Sequence, residues 1–298
     1  MMATVSRPRR SVLYMPGSNA RALEKARTLA ADGLILDLED AVAPDAKDEA
    51  RRLVVAALSA GGYGGREVLI RVNGLATPWF HADVAAAALS GADAILIPKV
   101  ESADAVRLVE AIMVAAGAPA EMAIWCMMET PRGILAAEAI AQASPRLGGL
   151  VIGTSDLAKD LHAHHTPPRL PMLTALSLCV LAARAFGLAV VDGVHLDLDD
   201  DDGFEAACRQ GVELGFDGKT LIHPKTIATA NRVFGPTEAD LVWSRRIIAA
   251  HGEAAAGGRG VVVVDNKLVE ALHVENARRL VALAERIAAL AADLGSPP

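Results

Sequence analysis

The sequence predicts an α/β fold, a (β/α)8 TIM barrel with a C-terminal helical or hairpin extension. Three observations support this prediction. Eight short apolar runs follow one another along the chain. Ala-rich segments with the spacing of amphipathic helices lie between these runs. The repeating part extends from residue 11 to about residue 235, close to the roughly 250 residues of a typical barrel.

The apolar runs are predicted to be parallel strands, because runs that are apolar on both faces and alternate with helices require helical crossovers. A doubly wound open sheet is the alternative that this pattern leaves open. The predicted strands are Ser11–Met15, Leu34–Leu38, Val68–Val72, Ala94–Ile97, Ala123–Met128, Leu150–Ile152, Ala189–Val191 and Thr220–Ile222, and the clearest helical spacing is in Asn19–Ala31, Asp45–Ser59, Ser102–Ala115 and Pro131–Ala143.

The last 63 residues have a different pattern. We expect a barrel domain over residues 1–235 and a C-terminal extension over residues 236–298. Pro236 and Thr237, followed by acids, are typical of a helix start. Val261–Val264 is a candidate strand and Glu270–Leu290 a final amphipathic helix. Such an extension is expected to act as a lid or an oligomer contact.

Composition excludes several classes of protein. The formal net charge of −7 argues against a general nucleic-acid binder. No apolar run approaches the length of a membrane span, and the run after the basic N-terminus is too short for a signal peptide. The three cysteines have no CxxC spacing, so we expect reduced, packed thiols. These features predict a cytoplasmic protein.

Catalytic residues of such barrels lie at the carboxyl ends of the strands. Glu129 follows the fifth predicted strand and Asp156 the sixth. Two carboxylates from neighbouring strands would provide the hard oxygen ligands that Mg²⁺ prefers, with the remaining positions filled by water or substrate. The alternative interpretation is one helix cap and one ion-paired acid.

Two cationic residues end the third and fourth strands. Arg71 is suited to hold a carboxylate or a developing oxyanion through two parallel hydrogen bonds, although a salt bridge to a neighbour such as Glu39 would also explain it. Lys99 invites comparison with Schiff-base lysines. An ion pair of Lys99 with Asp37, Glu39 or Glu129 is the interpretation that we favour.

Three acids follow one another closely at the end of the second strand. Asp37, Glu39 and Asp40 repel one another unless cations or strong donors compensate, and Lys47 is one candidate partner. They form either an ion-pair network that braces the loop or a support that orients the catalytic groups.

Three further polar features have simpler interpretations. The loop containing His162, His164 and His165 lacks partners with metal-ligand spacing, so a solvated or lid-lining loop is expected. The acidic run Asp199–Asp202 is expected to cap a helix. His223 either faces the barrel opening or hydrogen-bonds its own loop.

Several of these segments, in this order, resemble the citrate lyase β-subunit and malyl-CoA lyase family of the HpcH/HpaI-type aldolase superfamily. The resemblance covers nearly the whole chain. The matching segments are Arg10–Gly17, Leu36–Val42 with Lys47, Arg71–Asn73, Ile97–Lys99, Glu129–Gly133, Gly215–Lys219 and Ile222–Pro224.

The resemblance implies a (β/α)8 barrel, usually a homotrimer, that binds Mg²⁺ through Glu129 and Asp156. It implies that Arg71 contacts a small oxo acid and the charge that develops on it. It also places a coenzyme A thioester near the first strand, with Arg10 and Lys25 as candidate partners of the coenzyme A phosphates.

One segment of the C-terminal extension departs from the family pattern. The resemblance implies a glycine-lysine-methionine-aliphatic-aspartate stretch, whose acid reaches over a neighbouring subunit's site. This chain has Asn266–Glu270 there, with Glu270 in place of the aspartate. Glu270, or Asp265 just before the segment, is the candidate for proton transfer.

We therefore expect a Mg²⁺-dependent oxo-acid-lyase, which cleaves or forms the C–C bond of a malyl-, citramalyl- or citryl-CoA-like thioester to give an acyl-CoA and a keto acid. One alternative is a β-hydroxyacyl-CoA thioesterase that uses the same site. Another is a non-catalytic subunit that binds acyl-CoA or acyl-carrier protein. A third is a metal-dependent aldolase for sugar-acid-like substrates.

Overall fold

The structure is a computed structural model that describes residues 7–258 and 260–293. The outer limits of the two predicted domains, residues 1 and 298, lie outside the described residues. The chain divides into two compact units, one over Arg9–Phe234 and one that contains the residues from Gly235 onward together with Pro8.

The first unit is a closed barrel of eight parallel strands in the order β1 to β8, in which β8 pairs with β1. The predicted TIM barrel is therefore confirmed, and the open sheet is excluded for this unit. The strands are β1 (Ser11–Pro16), β2 (Gly33–Asp37), β3 (Glu67–Arg71), β4 (Ala94–Ile97), β5 (Ala123–Met128), β6 (Leu147–Ile152), β7 (Ala189–Asp192) and β8 (Gly218–Leu221).

Helices follow every strand of the barrel. They are α1 (Ala20–Ala26), α2 (Lys47–Ala60), α3 (Phe80–Ala88), α4 (Ala103–Ala116), α5 (Pro131–Leu135), α6 (Ala137–Ala141), α7 (Thr154–Asp160), α8 (Leu173–Ala185), α9 (Asp201–Leu214) and α10 (Ile227–Phe234), with short 3₁₀ turns at Pro44–Ala46, Leu170–Met172 and Pro224–Thr226. The helix predicted over Pro131–Ala143 is two helices, because the backbone of Ala136 leaves the helical region at φ −97° and ψ 9°.

Side chains alternate between the inside and the outside of the barrel along each strand. The inner positions form a small apolar cluster that includes Ile35, Leu69 and Trp125. The guanidinium of Arg9 lies 5.1 Å from the ring centroid of Trp125, and Arg9 also pairs with Glu67 at the amino end of the barrel. The same alternation brings polar residues to inner positions at the carboxyl ends of the strands.

A buried ionic network lies on β7 and β8, and we call it the β7–β8 network. Asp192 is fully buried and accepts hydrogen bonds from Lys219 at 2.9 Å and from Arg169 at 2.8 and 2.7 Å. The backbone carbonyl of Asp192 also accepts from the Thr220 hydroxyl. One carboxylate is therefore matched by two cations.

The second unit contains α11 (Glu238–Ala256), the strands β9 (Val262–Val264) and β10 (Lys267–Val269), and α12 (Ala271–Asp293). Thr237 begins α11 with a capping box. β9 and β10 are antiparallel, and Asp265 and Asn266 turn between them with positive φ, as a tight hairpin requires. The sequence pattern predicted β9 and α12 but not β10.

This unit has its own core of Ile247, Val264, Val269, Val274 and Ala277, against which Trp243 packs. Within the residues that the structure describes, no helix is long and apolar enough to cross a membrane. The three cysteines of the chain are buried and form no disulfides, as expected.

Candidate active site

A cavity of about 380 Å³ opens at the carboxyl ends of the barrel strands. Charged and apolar residues both line it, and we call its apolar residues Ile152, Val194, Leu196 and Ile222 the apolar wall. The remaining lining residues are Tyr14, Asp37, Asp40, Ala41, Arg71, Met127, Glu129, Gly153, Thr154, Ser155 and Asp156.

Arg71, the last residue of β3, is buried at the cavity among acids. Its Nε and Nη2 donate to the two oxygens of Asp37 at 2.7 and 2.6 Å. Its Nη1 lies 2.9 Å from Glu39 and 3.3 Å from Asp40. Burial lowers the pKa of Arg71, but the hydrogen bonds to Asp37 and the charges of Asp37 and Glu39, acting together with Tyr14, outweigh burial and raise it. The guanidinium is therefore a fixed, permanent cation.

The loop after β2 is braced from two sides. The carboxylate of Asp37 accepts the backbone N–H groups of Glu39 at 2.9 Å and Ala41 at 3.1 Å. Lys47 donates to the backbone carbonyls of Leu38 and Glu39 at 2.9 and 2.7 Å. Lys47 thus supports the loop backbone, and Arg71 is the ion-pair partner of the three acids.

Glu129 follows β5 at an inward position, two residues after Met127 of the inner cluster. Its Oε1 accepts the backbone N–H of Lys99 at 2.7 Å. Burial raises the pKa of Glu129 to about 7. Among the described residues Glu129 is in no ion pair, so its buried charge lacks a cation.

Gly153 makes room for the Glu129 carboxylate. A Cβ atom on Gly153 would lie 2.4 Å from Oε2 and 2.5 Å from Cβ of Glu129, much closer than van der Waals contact allows. Asp156 lies in the first turn of α7. It is 3.1 Å from the exposed Lys159 and 3.8 Å from the Lys99 ammonium.

Lys99 is ion-paired at the edge of the cavity. Its Nζ is 2.6 Å from Oε1 of Glu39. Although burial lowers the pKa of Lys99, the hydrogen bond to Glu39 and the charges of Glu39, Glu129 and Asp40 together outweigh burial and raise it. A protonated lysine is not a nucleophile, so the geometry favours the ion pair over the Schiff-base interpretation.

The acids at the cavity outnumber the cations that form ion pairs with them. We call these acids the mouth cluster. Arg71, Lys99 and Lys159 are the cations that pair with them. No group of three or more acids, histidines or cysteines is arranged as a complete metal site within residues 7–258 and 260–293. The mouth cluster is Asp37, Glu39, Asp40, Glu129 and Asp156.

The donor set fits Mg²⁺. Glu129 is a buried carboxylate that forms no ion pair with any residue the structure describes. Lys99 contacts both Glu129 and Asp156, which places the two acids near each other. Mg²⁺ is commonly held by one or two carboxylates, while water and substrate complete its shell. The excess of negative charge also favours a cation before an anionic substrate.

Sequence reasoning missed Tyr14, Gly153 and the apolar wall. Tyr14 is at an inner position of β1, and its ring lies 4.9 Å from the Arg71 guanidinium. The alternation of inner and outer side chains along β1 could have indicated that Tyr14 faces the inside of the barrel. Leu196 and Ile222 are on loops, where no periodicity indicates orientation.

The two residues proposed to contact coenzyme A phosphates do not line the cavity. Arg10 precedes β1, at the amino end of the barrel, and its guanidinium and backbone N–H are bound by Asp32. This position argues against a role of Arg10 at the cavity. Lys25 is exposed in the last turn of α1, whereas Arg21 of the same helix lies in the first turn, nearer the strand ends.

The two candidate acids of the extension lie in the second unit. Both Asp265 oxygens are 2.6 Å from Arg246. Glu270 precedes α12, and its backbone N–H donates to His273. The carboxylate of Asp265 is thus engaged by a guanidinium.

The other polar features have local roles. Asp200 caps α9, and the Nδ1 atom of His223 accepts the backbone N–H of Lys225. His162, His164 and His165 are exposed.

Comparison with known proteins gave matches over most of the chain. Residues 10–224 match the HpcH/HpaI aldolase/citrate lyase family. A (3S)-malyl-CoA thioesterase of Cereibacter sphaeroides (strain KD131 / KCTC 12085) is 52% identical over 291 residues, which cover 98% of this chain and 100% of that protein. The L-malyl-CoA/beta-methylmalyl-CoA lyase of Cereibacter sphaeroides (strain ATCC 17029 / ATH 2.4.9) is 36% identical over 311 residues, which cover 96% and 98%.

Among solved structures, the protein CitE from Mycobacterium tuberculosis in complex with magnesium, acetoacetate and coenzyme A is similar, with a TM-score of 0.73 and 27% identity. The match covers 93% of this chain and 97% of that chain.

Proposed function

The chain belongs to the HpcH/HpaI aldolase/citrate lyase family, as its motifs predicted, and we propose that it is a Mg²⁺-dependent hydrolase of a malyl-type coenzyme A thioester. The observation that carries the proposal is the buried Glu129, which has no ion pair among the described residues and lines the same cavity as Arg71. The choice of hydrolysis is supported by the 52% identity to a malyl-CoA thioesterase over 98% of this chain.

We assign Glu129 and Asp156 as the residues that hold the metal. When bound there, Mg²⁺ would act as a Lewis acid toward substrate oxygens. Glu129 is kept in place by the Lys99 N–H and by the space at Gly153. The bound cation would also compensate a carboxylate that burial otherwise keeps partly protonated, since the pKa of Glu129 is raised to about 7.

We assign two roles to Arg71: it binds the substrate's carboxylate, and it stabilises the negative charge that develops on the substrate's oxygens. Its bidentate bond to Asp37 fixes the plane of the guanidinium, so little reorganisation is needed during the reaction. The apolar wall, with the partly exposed Leu196 and Ile222, suits the uncharged arm of the thioester. Arg21 and Lys25 are the candidates for the phosphates of coenzyme A.

In hydrolysis, water adds to the thioester carbonyl carbon and the C–S bond breaks. The sulfur takes a proton and leaves as the free coenzyme A thiol, and the hydroxy acid remains intact. Removal of a proton from the attacking water requires a base, for which Asp265 and Glu270 of the extension remain candidates.

C–C cleavage is a second candidate function, supported by the 36% identity to a malyl-CoA lyase. In that reaction the substrate hydroxyl loses its proton to a base, the C–C bond breaks to give an oxo acid and a thioester enolate, and the enolate takes up a proton on carbon to become the acyl-CoA. The homotrimer and the cytoplasmic location remain predictions.

The test is product analysis. Purified protein is incubated with malyl-, citramalyl- and citryl-CoA, with Mg²⁺ and then with EDTA. We expect free thiol and intact hydroxy acid, with Mg²⁺ only, and malyl-CoA as the preferred substrate. A shorter acyl-CoA with an oxo acid would establish the lyase instead. Turnover that is unchanged in EDTA, or in both Glu129→Gln and Asp156→Asn, would refute the metal assignment.

A comparison of Glu270→Gln with Asp265→Asn tests the base. Because Asp265 is engaged by Arg246, we expect the larger loss of turnover in Glu270→Gln. If no thioester is turned over, both proposed activities are wrong. The alternatives that remain are a non-catalytic binding subunit and an aldolase that does not use coenzyme A.

A further inference from the structure

Lys99 has an unusual backbone at the edge of the cavity. It follows β4 and Pro98 and has a φ of 51°. A non-glycine residue with positive φ is sterically strained and persists where the surroundings hold it. The contacts that Lys99 makes with its neighbours are therefore candidates for what holds this backbone conformation.

Those contacts join both proposed metal ligands. The backbone N–H of Lys99 donates to Oε1 of Glu129 at 2.7 Å. Its ammonium is 3.8 Å from Oδ2 of Asp156 and 2.6 Å from Oε1 of Glu39. One residue thus supports one metal ligand through its backbone and neutralises the other through its side chain.

The ammonium also belongs to a longer row of alternating charges. Asp156 contacts Lys99, Lys99 contacts Glu39, Glu39 contacts Arg71, and Arg71 contacts Asp37. A cation in this row reduces repulsion among the acids of the mouth cluster. A divalent ion bound at Asp156 would have the same effect and would be repelled by the ammonium.

We propose that Lys99 is the internal counter-ion of the metal site, which stabilises the metal-free mouth cluster and lowers the affinity for Mg²⁺. The proposal rests on the assignment of Glu129 and Asp156 under the proposed function. The Lys99 side chain is 42% exposed, so it remains open to solvent. Lys159 also contacts Asp156, but it is 66% exposed and is shared with Asp160, so solvent screens its effect more strongly.

The test measures Mg²⁺ binding to the purified, metal-stripped full chain by calorimetry, without substrate. Lys99→Met removes the charge and keeps the length of the side chain, and Lys99→Arg keeps the charge. Lys225→Met is the matched control, because Lys225 pairs with Asp201, away from the proposed ligands.

We expect Lys99→Met to bind Mg²⁺ about fivefold to tenfold more tightly than wild type, which is the size of a Coulomb interaction at this separation when solvent screens it nearly as well as bulk water does. Lys99→Arg and Lys225→Met are expected to bind like wild type. In thermal melts without metal, Lys99→Met should have a lower Tm than wild type and a larger rise in Tm with Mg²⁺.

Equal or weaker Mg²⁺ binding by Lys99→Met, while wild type binds, would overturn the counter-ion role and leave the proposed function intact. Absence of Mg²⁺ binding by wild type would overturn both. Circular dichroism checks that the variants are folded, and Lys99→Gln, which is neutral but still able to hydrogen-bond Glu39, replaces Lys99→Met if that variant is unfolded.

Discussion

The mouth cluster and the β7–β8 network are both ionic clusters of one barrel, but the first opens to solvent, the second is buried, and they differ in the ratio of acids to cations. In the β7–β8 network a single carboxylate, Asp192, meets the two cations Lys219 and Arg169. In the mouth cluster five carboxylates meet three cations, and Glu129 is in no ion pair within the described part of the chain.

The pKa values follow this difference. Burial alone would raise the pKa of Asp192, but Lys219 and Arg169 outweigh burial and lower it. At Glu129, burial dominates and raises the pKa to about 7. A cluster whose only acid is fully paired stabilises the fold, whereas a cluster with more acids than cations leaves charge for a ligand to compensate. Mutations should therefore have different effects in the two clusters.

The largest expected effect is on stability. Asp192→Ala would leave the ammonium of Lys219 buried without its carboxylate, and the free energy of unfolding should fall by about 3–5 kcal/mol. Urea denaturation measures the change. The double variant Asp192→Leu with Lys219→Met should lose less, since it leaves neither charge of that pair buried alone. A loss below 1 kcal/mol in the single variant would contradict the structural role.

Glu129→Gln should lower activity without lowering stability, the reverse of Asp192→Ala. Turnover is expected to fall roughly 100- to 1,000-fold, as for other groups that provide electrostatic stabilisation. The free energy of unfolding of the metal-free protein should stay the same or rise, because an uncompensated buried carboxylate is removed. Steady-state kinetics and urea denaturation of one preparation measure both. Lower stability of Glu129→Gln with retained turnover would contradict this prediction and would indicate a structural role for Glu129.

Gly153→Ala tests how closely the site is built around Glu129. The added Cβ must displace the carboxylate, and we expect a loss of turnover of about tenfold, since a shift of 1 Å in a catalytic group can cost roughly 100-fold. Gly74→Ala is the control, because a Cβ there meets nothing within 4 Å. Equal activities of the two variants would show that the contact is unimportant.

The smallest expected effect is the pH dependence of the β7–β8 network. The folded-state pKa of Asp192 lies below its ordinary value of 3.8. The network therefore contributes its full stability above that pH and loses it as the pH falls through the folded-state pKa. The difference in unfolding free energy between wild type and Asp192→Asn should be constant from pH 5 to 7 and shrink below 3.8. A difference that grows in acid would contradict the ion pair.

Much of the fold was predictable because the period of its apolar runs is a local property of the sequence. The eight strands were found, as was the position of Arg71, Glu129 and Asp156 at one end of the barrel. That position followed from the rule that the carboxyl ends of parallel barrel strands meet at one rim. The break at Ala136 and the short strand β10 were missed, because each depends on the backbone of one or two residues.

The partners of the charged groups could not be predicted from spacing. Lys47 was one candidate partner of the acids of its loop, and its ammonium donates to the carbonyls of Leu38 and Glu39. Arg10 was expected near a phosphate, but it binds Asp32. Side-chain contacts across a barrel depend on register and helix placement, which a single sequence does not encode locally.

The positions of the tryptophans have a practical consequence. Trp125 is buried inside the barrel, whereas Trp243 packs against the core of the second unit, with the Lys267 ammonium 5.2 Å from its ring. The third of the chain's three tryptophans, Trp79, is half-buried just before α3. Variants that retain a single indole would let fluorescence report the melting of each unit separately, without any added dye.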